Sequence, residues 1–313
     1  MVRLPDYKKI TIRNEVDRYG FSYLLANSMS RSYVPRSFCN WVHGWIWWSP
    51  ESDYDLGCHN LPKDNSIVVM KKEQKILLDS LGYTKVYIDC LPFARTTSTG
   101  ITRKVNSLLS FLPHVGDDHP LEQSFINNYL DYLVTVKESF DEVFVCVFWA
   151  KGNEKSLLDD ITKRGLKYVL GANPLDANAL IRMRKLLDYF DYVTTSDIGS
   201  HIVYAAYTGC KVSICGPYHS RYYAGNSMKP EHEPQEYFDR MMKVSSFDWV
   251  KNNFSFLFCR HPKDAVEHVS WAKIEMGEKN LTNDELVNIL GWSLNSQIKG
   301  YFRGLKNRII SHL

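Results

Sequence analysis

The sequence predicts an α/β protein of doubly wound parallel sheets, and three observations carry that prediction. Short apolar runs near residues 107, 142, 167, 192, 211 and 254 are mostly separated by stretches of helical periodicity. The run EVFVCVFW at 142–149 is apolar at nearly every position, as a strand covered on both faces requires. Finally, the polar loops PHVGDDHP, GANP, TSDIGS, GPYHSR and CRHP each follow a predicted strand. They therefore fall at the carboxyl ends of the strands, where such sheets bind ligands.

The composition bounds the possible functions. A chain of 313 residues has room for two domains, and 44% hydrophobic with 23% charged residues describes a globular protein. A net charge of +3 is too small to make nucleic acid the expected partner. No apolar run follows the charged start MVRLPDYKKI, and no stretch approaches the ~20 apolar residues of a membrane span. Seven cysteines are scattered without CxxC spacing, which reads as reduced, buried thiols in a cytoplasmic protein.

In order along the chain, residues 16–28 carry an apolar helical stripe with Gly20 as its weak point. Four tryptophans crowd residues 41–48 around His43-Gly44, in a segment expected to be a strand that ends in a loop. Residues 66–70 and 85–90 read as buried strands joined by an amphipathic helix at 71–81. The short polar stretch 94–104 is a linker or the edge of a cleft. Beyond it the strands alternate with helices expected at 125–139, 157–164 and 177–190. A last strand is expected at 254–259, with helices near 263–277 and 283–292. The predicted domains are 1–100, an acceptor-side α/β unit, and 101–296, a nucleotide-binding Rossmann-like unit. Residues 297–313 form a basic amphipathic helix with apolar residues at spacings of three and four.

The segment DYVTTSDIGSHIVYAAYTGCKVSICGPY at 191–218 is the most informative. It reads as strand, turn, helix and strand, with Gly209 closing the helix. Its first turn is rich in small hydroxyl residues and glycine. Such a turn exposes backbone N–H groups at a helix N-terminus, where the macrodipole favours an anion. Ser196, Asp197, Gly199, Ser200 and His201 are the candidate phosphate-binding residues. The alternative is an ordinary crossover with a Ser or Asp cap.

This segment resembles the donor-binding region of bacterial surface-polysaccharide transferases, in which an Asp, a short gap, a small hydroxyl residue, a helix, a glycine and a strand follow in order. Asp197, Ser200 and Gly209 stand in those places. The resemblance, to CDP-glycerol, Kdo and sialyl transferases of the GT-B fold, implies two Rossmann-like domains and a deep interdomain cleft. It implies that His43-Gly44 supplies a catalytic histidine. It also implies that a His-Pro dipeptide contacts a CMP phosphate, with His261-Pro262 the first candidate and His114 and His119-Pro120 its rivals. The implied partners are a nucleotide-sugar donor, with CMP-sugar slightly favoured, and a glycan or lipid-linked glycan acceptor.

The chemistry of glycosyl transfer fits these residues. The leaving phosphate needs neutralising, for which Arg260 and His261 are further candidates, and the acceptor hydroxyl needs a base. His43 and Asp55, with Asp53 nearby, are the candidates for that base. Asp117-Asp118 is the nearest approach to a metal-binding pair, but adjacent loop residues seldom aim at one ion, so neither a metal nor a cofactor is expected. No GxGxxG opens a βα turn, which argues against a dinucleotide enzyme. Another nucleotide-sugar enzyme, such as an epimerase, and a non-catalytic nucleotide-binding protein are the competing readings. The basic terminal helix either packs on the N-terminal domain or holds the enzyme to the anionic inner face of a membrane.

Overall fold

The computed structural model describes residues 3–113, 121–220 and 233–300. The apolar stripe near the N-terminus is split. A 3-10 turn at Glu15–Gly20 precedes helix α1, Phe21–Ser28. Gly20 makes the break, since its φ is 73° and a Cβ there would lie 2.1 Å from the Ala177 carbonyl oxygen. Strands β1 (Cys39–Trp41) and β2 (Ser66–Val69) follow, then α2 (Lys72–Ser80) and β3 (Lys85–Ile88). These strands form a parallel sheet in the order β1-β2-β3, with Trp41 opposite Val68 and Val68 opposite Tyr87.

The tryptophan-rich segment leaves the sheet earlier than its hydrophobicity suggests. After Trp41 each indole N–H takes a separate partner: Trp45 donates to Glu275, Trp47 to the Val244 carbonyl and Trp48 to Asp55. A buried indole N–H without a partner is costly, so these bonds set the path where strand pairing does not.

The second sheet comprises β4 (Lys104–Phe111), β5 (Glu142–Val147), β6 (Lys167–Leu170), β7 (Phe190–Thr195) and β8 (Lys211–Ile214). It is parallel throughout, in the order β6-β5-β4-β7-β8, so the order reverses between the neighbours β4 and β7. Helices α3 (Gln123–Val136) and α4 (Lys155–Lys163) cover one face with Leu108, Val143 and Val145. Helices α5 (Ala179–Tyr189) and α6 (Ser200–Tyr207) cover the other, against Leu109 and Phe144. Leu108 and Leu109 point to opposite faces by strand alternation, so each joins a different core. The second core continues without interruption into Trp41 and Val68 of the first sheet.

Four further helices follow, α7 (Gln235–Val244), α8 (Phe247–Asn253), α9 (Val269–Met276) and α10 (Asn283–Ile289), and the described residues 294–300 are helical too. The strand expected at 254–259 is not one. A 3-10 turn occupies Ser255–Leu257, and Phe258 makes a single parallel bridge to Ile214. Phe254 turns its ring towards Trp45, Trp249 and Trp271, and this aromatic packing displaces a sixth strand pairing. Helix α9 starts later than expected, because a turn at Pro262–Asp264 precedes it. The chain then returns to the first sheet, where Leu91 N–H donates to the Met276 carbonyl and Asp89 accepts from the Asn280 and Leu281 N–H groups. Among the described residues no helix is long and apolar enough to cross a membrane. His114, Asp117-Asp118, His119-Pro120 and most of the basic segment 297–313 lie outside the described residues.

Candidate active-site cavity

A cavity of about 310 Å³ opens at the carboxyl ends of β4, β5, β6 and β7. Phe111, Val147, Gly171 and Asp197 line it from those strand ends, and His43 and Gly44 line it from the segment that follows β1. It lies at the reversal point of the strand order, where diverging connections leave a crevice.

One wall is the turn between β7 and α6. Thr195 Oγ1 donates to Asp197 Oδ1 at 2.8 Å and accepts from the Asp197 N–H at 3.3 Å. His201 Nε2 lies 3.0 Å from the same hydroxyl, and its ring stacks on Phe111 at 4.8 Å. Gly199 is the N-cap of α6 and no side chain caps the helix. Its backbone is extended, which any residue can adopt; what favours glycine is room. A Cβ would come within 3.1 Å of the His201 ring. The positive end of α6 therefore meets the cavity through backbone N–H groups.

The opposite wall carries His43. Trp45 N–H donates to Ser200 Oγ at 2.9 Å, and Tyr204 Oη donates to the His43 carbonyl at 3.1 Å. Both bonds hold the His43-Gly44-Trp45 segment against α6. The His43 side chain keeps 40% of its surface exposed, with Nδ1 3.5 Å from Glu15 Oε2. Desolvation holds its pKa below the ordinary histidine value, Glu15 pulls it up and Arg18 pushes it down. The net direction keeps the imidazole neutral at neutral pH, as a base must be.

The other candidates divide clearly. Asp197, Gly199, Ser200 and His201 share the cavity with His43. Ser196 is buried and does not line it; its hydroxyl has no hydrogen-bond partner among the described residues. Asp55 is also buried away from the cavity. Its carboxylate accepts from Trp48, from the Glu51 and Ser52 N–H groups, and from Arg240 through both oxygens. Asp53 pairs with Lys63 and Tyr83. Arg260 is exposed. His261 caps a turn, its Nδ1 accepting from the Lys263 N–H, and its ring lies parallel to Phe140. Neither Arg260 nor His261 lines the cavity.

No protein-family model and no curated protein matches the chain. Among solved structures, a crystal structure of TarM is 12% identical with a TM-score of 0.35, covering 80% of this chain and 49% of its own. A crystal structure of an S. aureus TarM point mutant, in complex with fondaparinux, alpha-GlcNAc-glycerol and UDP, is 11% identical with a TM-score of 0.32. That match covers 80% of this chain and 45% of the other. The chain spans about half the length of these proteins. A likeness this slight decides nothing about activity.

Arg18 and Tyr19 are among the lining residues that escaped the sequence reading. They enter the cavity from the 3-10 turn before α1, where the backbone departs from helical geometry at Arg18 (ψ 140°) and Tyr19 (φ 57°). A non-glycine residue at positive φ is uncommon and collects at functional sites. The helical period of residues 16–28 concealed the break, and Gly20 was its one visible signal.

Proposed function

We propose that this protein is a glycosyltransferase that moves a sugar from a nucleotide-activated donor to a glycan acceptor. One observation carries the reading: the uncapped N-terminus of α6 and the neutral His43 face a single cavity at the sheet's reversal point. The first suits a leaving phosphate and the second an acceptor hydroxyl, the two groups that glycosyl transfer must serve at once.

The roles follow from position. Donor phosphate oxygens accept hydrogen bonds from the Ser200 and His201 N–H groups, and the helix dipole opposes the charge that builds as the glycosidic bond breaks. His43 turns Nδ1 towards Glu15, which leaves Nε2 to take the acceptor proton. The acceptor oxygen then bonds to the anomeric carbon and the nucleotide leaves with the bonding pair. Action without a metal belongs to the same proposal, and turnover that persists in EDTA is its check. A bacterial surface glycan, lipid-linked or free, is the acceptor class we propose.

A CMP-sugar donor rests on the His-Pro dipeptide, and His261 packs against Phe140 away from the cavity. The donor base is therefore open to direct test. Thermal shift with CMP, CDP, UDP, UMP, GDP and dTDP should show one base raising the melting temperature by mass action. No shift with any of them overturns the proposal.

A further inference from the structure

Arg18 is the one lysine or arginine, among the described residues, that lines the cavity. Its side chain is 40% exposed, yet its Nε is buried. Nε lies 2.7 Å from Glu15 Oε2, at an angle that does not make a hydrogen bond. The guanidinium is thus held by charge with an N–H donor unused. Glu15 Oε2 is also the atom that faces His43 Nδ1, at 3.5 Å, so one carboxylate oxygen serves both the guanidinium and the imidazole. The backbone that presents Arg18 is irregular, with Tyr19 in the left-handed region and Gly20 wedged against Ala177.

We propose that Arg18 is the cavity's phosphate-binding cation, leaving Glu15 for an incoming phosphate or pyrophosphate group and freeing that carboxylate to serve His43 alone. The inference rests on the donor-binding reading above and adds to it a residue, a ligand group and a consequence. A guanidinium matches two phosphate oxygens with two parallel N–H donors, whereas its present geometry to Glu15 uses Nε poorly. The uncapped end of α6 supplies partial positive charge from another wall, so two independent sources converge on one anion.

The consequence concerns His43. The groups facing its ring are Glu15, Arg18 and Tyr19 from the turn before α1; Tyr204 of α6 holds its carbonyl, and Asp197, Ser200 and His201 line the same cavity. Arg18 opposes protonation of His43 and Glu15 favours it. When phosphate neutralises Arg18, the balance moves towards Glu15 and the imidazole becomes a stronger base. A bound donor would thus activate the base, and an empty site would leave it weak.

The test is calorimetric titration of inorganic pyrophosphate into the wild-type protein, Arg18→Gln and Glu15→Gln, each with its melting temperature. We expect Arg18→Gln to weaken binding by about tenfold or more, the ordinary loss for a charge-assisted contact. Glu15→Gln should bind as tightly as wild type or more tightly, because Arg18 no longer has to leave a partner. Unchanged binding in a folded Arg18→Gln overturns the proposal. Equal loss in both variants, with a common fall in melting temperature, also overturns it and makes the pair structural. No pyrophosphate binding by wild type removes both this inference and the donor reading. If binding follows the expected pattern but no nucleotide sugar supports transfer, the Arg18 site stands and the transferase reading falls.

Discussion

The backbone N–H of Trp45 donates to the Ser200 hydroxyl at 2.9 Å across 155 positions of sequence. That bond fixes the distance between His43 and the N-terminus of α6, because His43 is two residues before Trp45 and Ser200 is the first residue of the helix. Tyr204 adds a second tie to the His43 carbonyl, and its ring stacks on Phe93 at 4.4 Å.

Ser200→Ala should therefore affect more than phosphate contact. It leaves the Trp45 N–H without its partner, at a cost of about 1–3 kcal/mol in stability. It should also lower kcat more than it raises KM for the donor, because His43 loses its registration. Chemical denaturation and steady-state kinetics read the two effects. A variant with wild-type stability and kcat shows that the bond carries no weight.

Gly199→Val should abolish nucleotide binding in a protein that still folds. The extended backbone accepts valine, but its Cβ presses on the His201 ring at 3.1 Å and its methyl groups stand where a phosphate would approach. Nucleotide affinity equal to wild type in the folded variant removes the turn from the donor site.

His43→Asn should reduce turnover by about 100-fold or more with donor affinity kept, the usual range for loss of a general base. The pH profile gives a sharper check. Because the folded His43 pKa is lowered, the neutral base persists through neutral pH, and activity falls only as pH drops through that lowered value. The acid limb of kcat/KM should therefore lie below about 6.5, the ordinary histidine value. Glu15→Gln should move the limb further down and Arg18→Gln should move it up. A limb above the ordinary value assigns the base to another group.

Asp55→Asn should cost stability and spare catalysis. The carboxylate is fully buried and bonded through both oxygens to Arg240, itself 13% exposed in its side chain. Breaking such a pair from one side costs about 3 kcal/mol or more. Burial pushes the Asp55 pKa up, but hydrogen bonds from Trp48, Glu51, Ser52 and Arg240 outweigh it and the pKa falls. Its contribution is accordingly present above the unfolded carboxylate value near 3.9 and is lost as pH falls through the folded value. Turnover per folded molecule should match wild type. A large fall in kcat at wild-type stability would restore Asp55 to the active site.

Truncation tests the proposed membrane contact of the basic segment 297–313. Gln297 donates to the Arg36 and Gly291 carbonyls, so a cut after residue 296 removes fold contacts along with charge. A cut after residue 300 keeps them. The full chain should sediment with anionic vesicles at low salt, and the shortened one should stay in solution with its nucleotide binding intact. A full chain that ignores the vesicles ends the membrane proposal.

The strands of the second sheet were legible because continuous apolar runs bounded by glycine and polar loops leave a chain few other ways to bury them. The turn at 196–201 was legible for a related reason: glycine and small hydroxyl residues between strand and helix are a local signal. Residues 254–259 were misread because their apolar run suits a strand as well as it suits a cluster of rings. Only the presence of Trp45, Trp249 and Trp271 around Phe254 chose between them. The sequence by itself determined the α/β class, the parallel order of alternation and the turn that meets the cavity, since each follows from period or residue type within about ten positions. The tertiary structure alone decided that His43 faces that turn while Asp55 and His261 do not, and that Arg18 joins the site. Those outcomes depend on contacts between residues far apart in the chain, such as Trp45 with Ser200 and Asp55 with Arg240, and no local pattern encodes which distant partner a polar group will find.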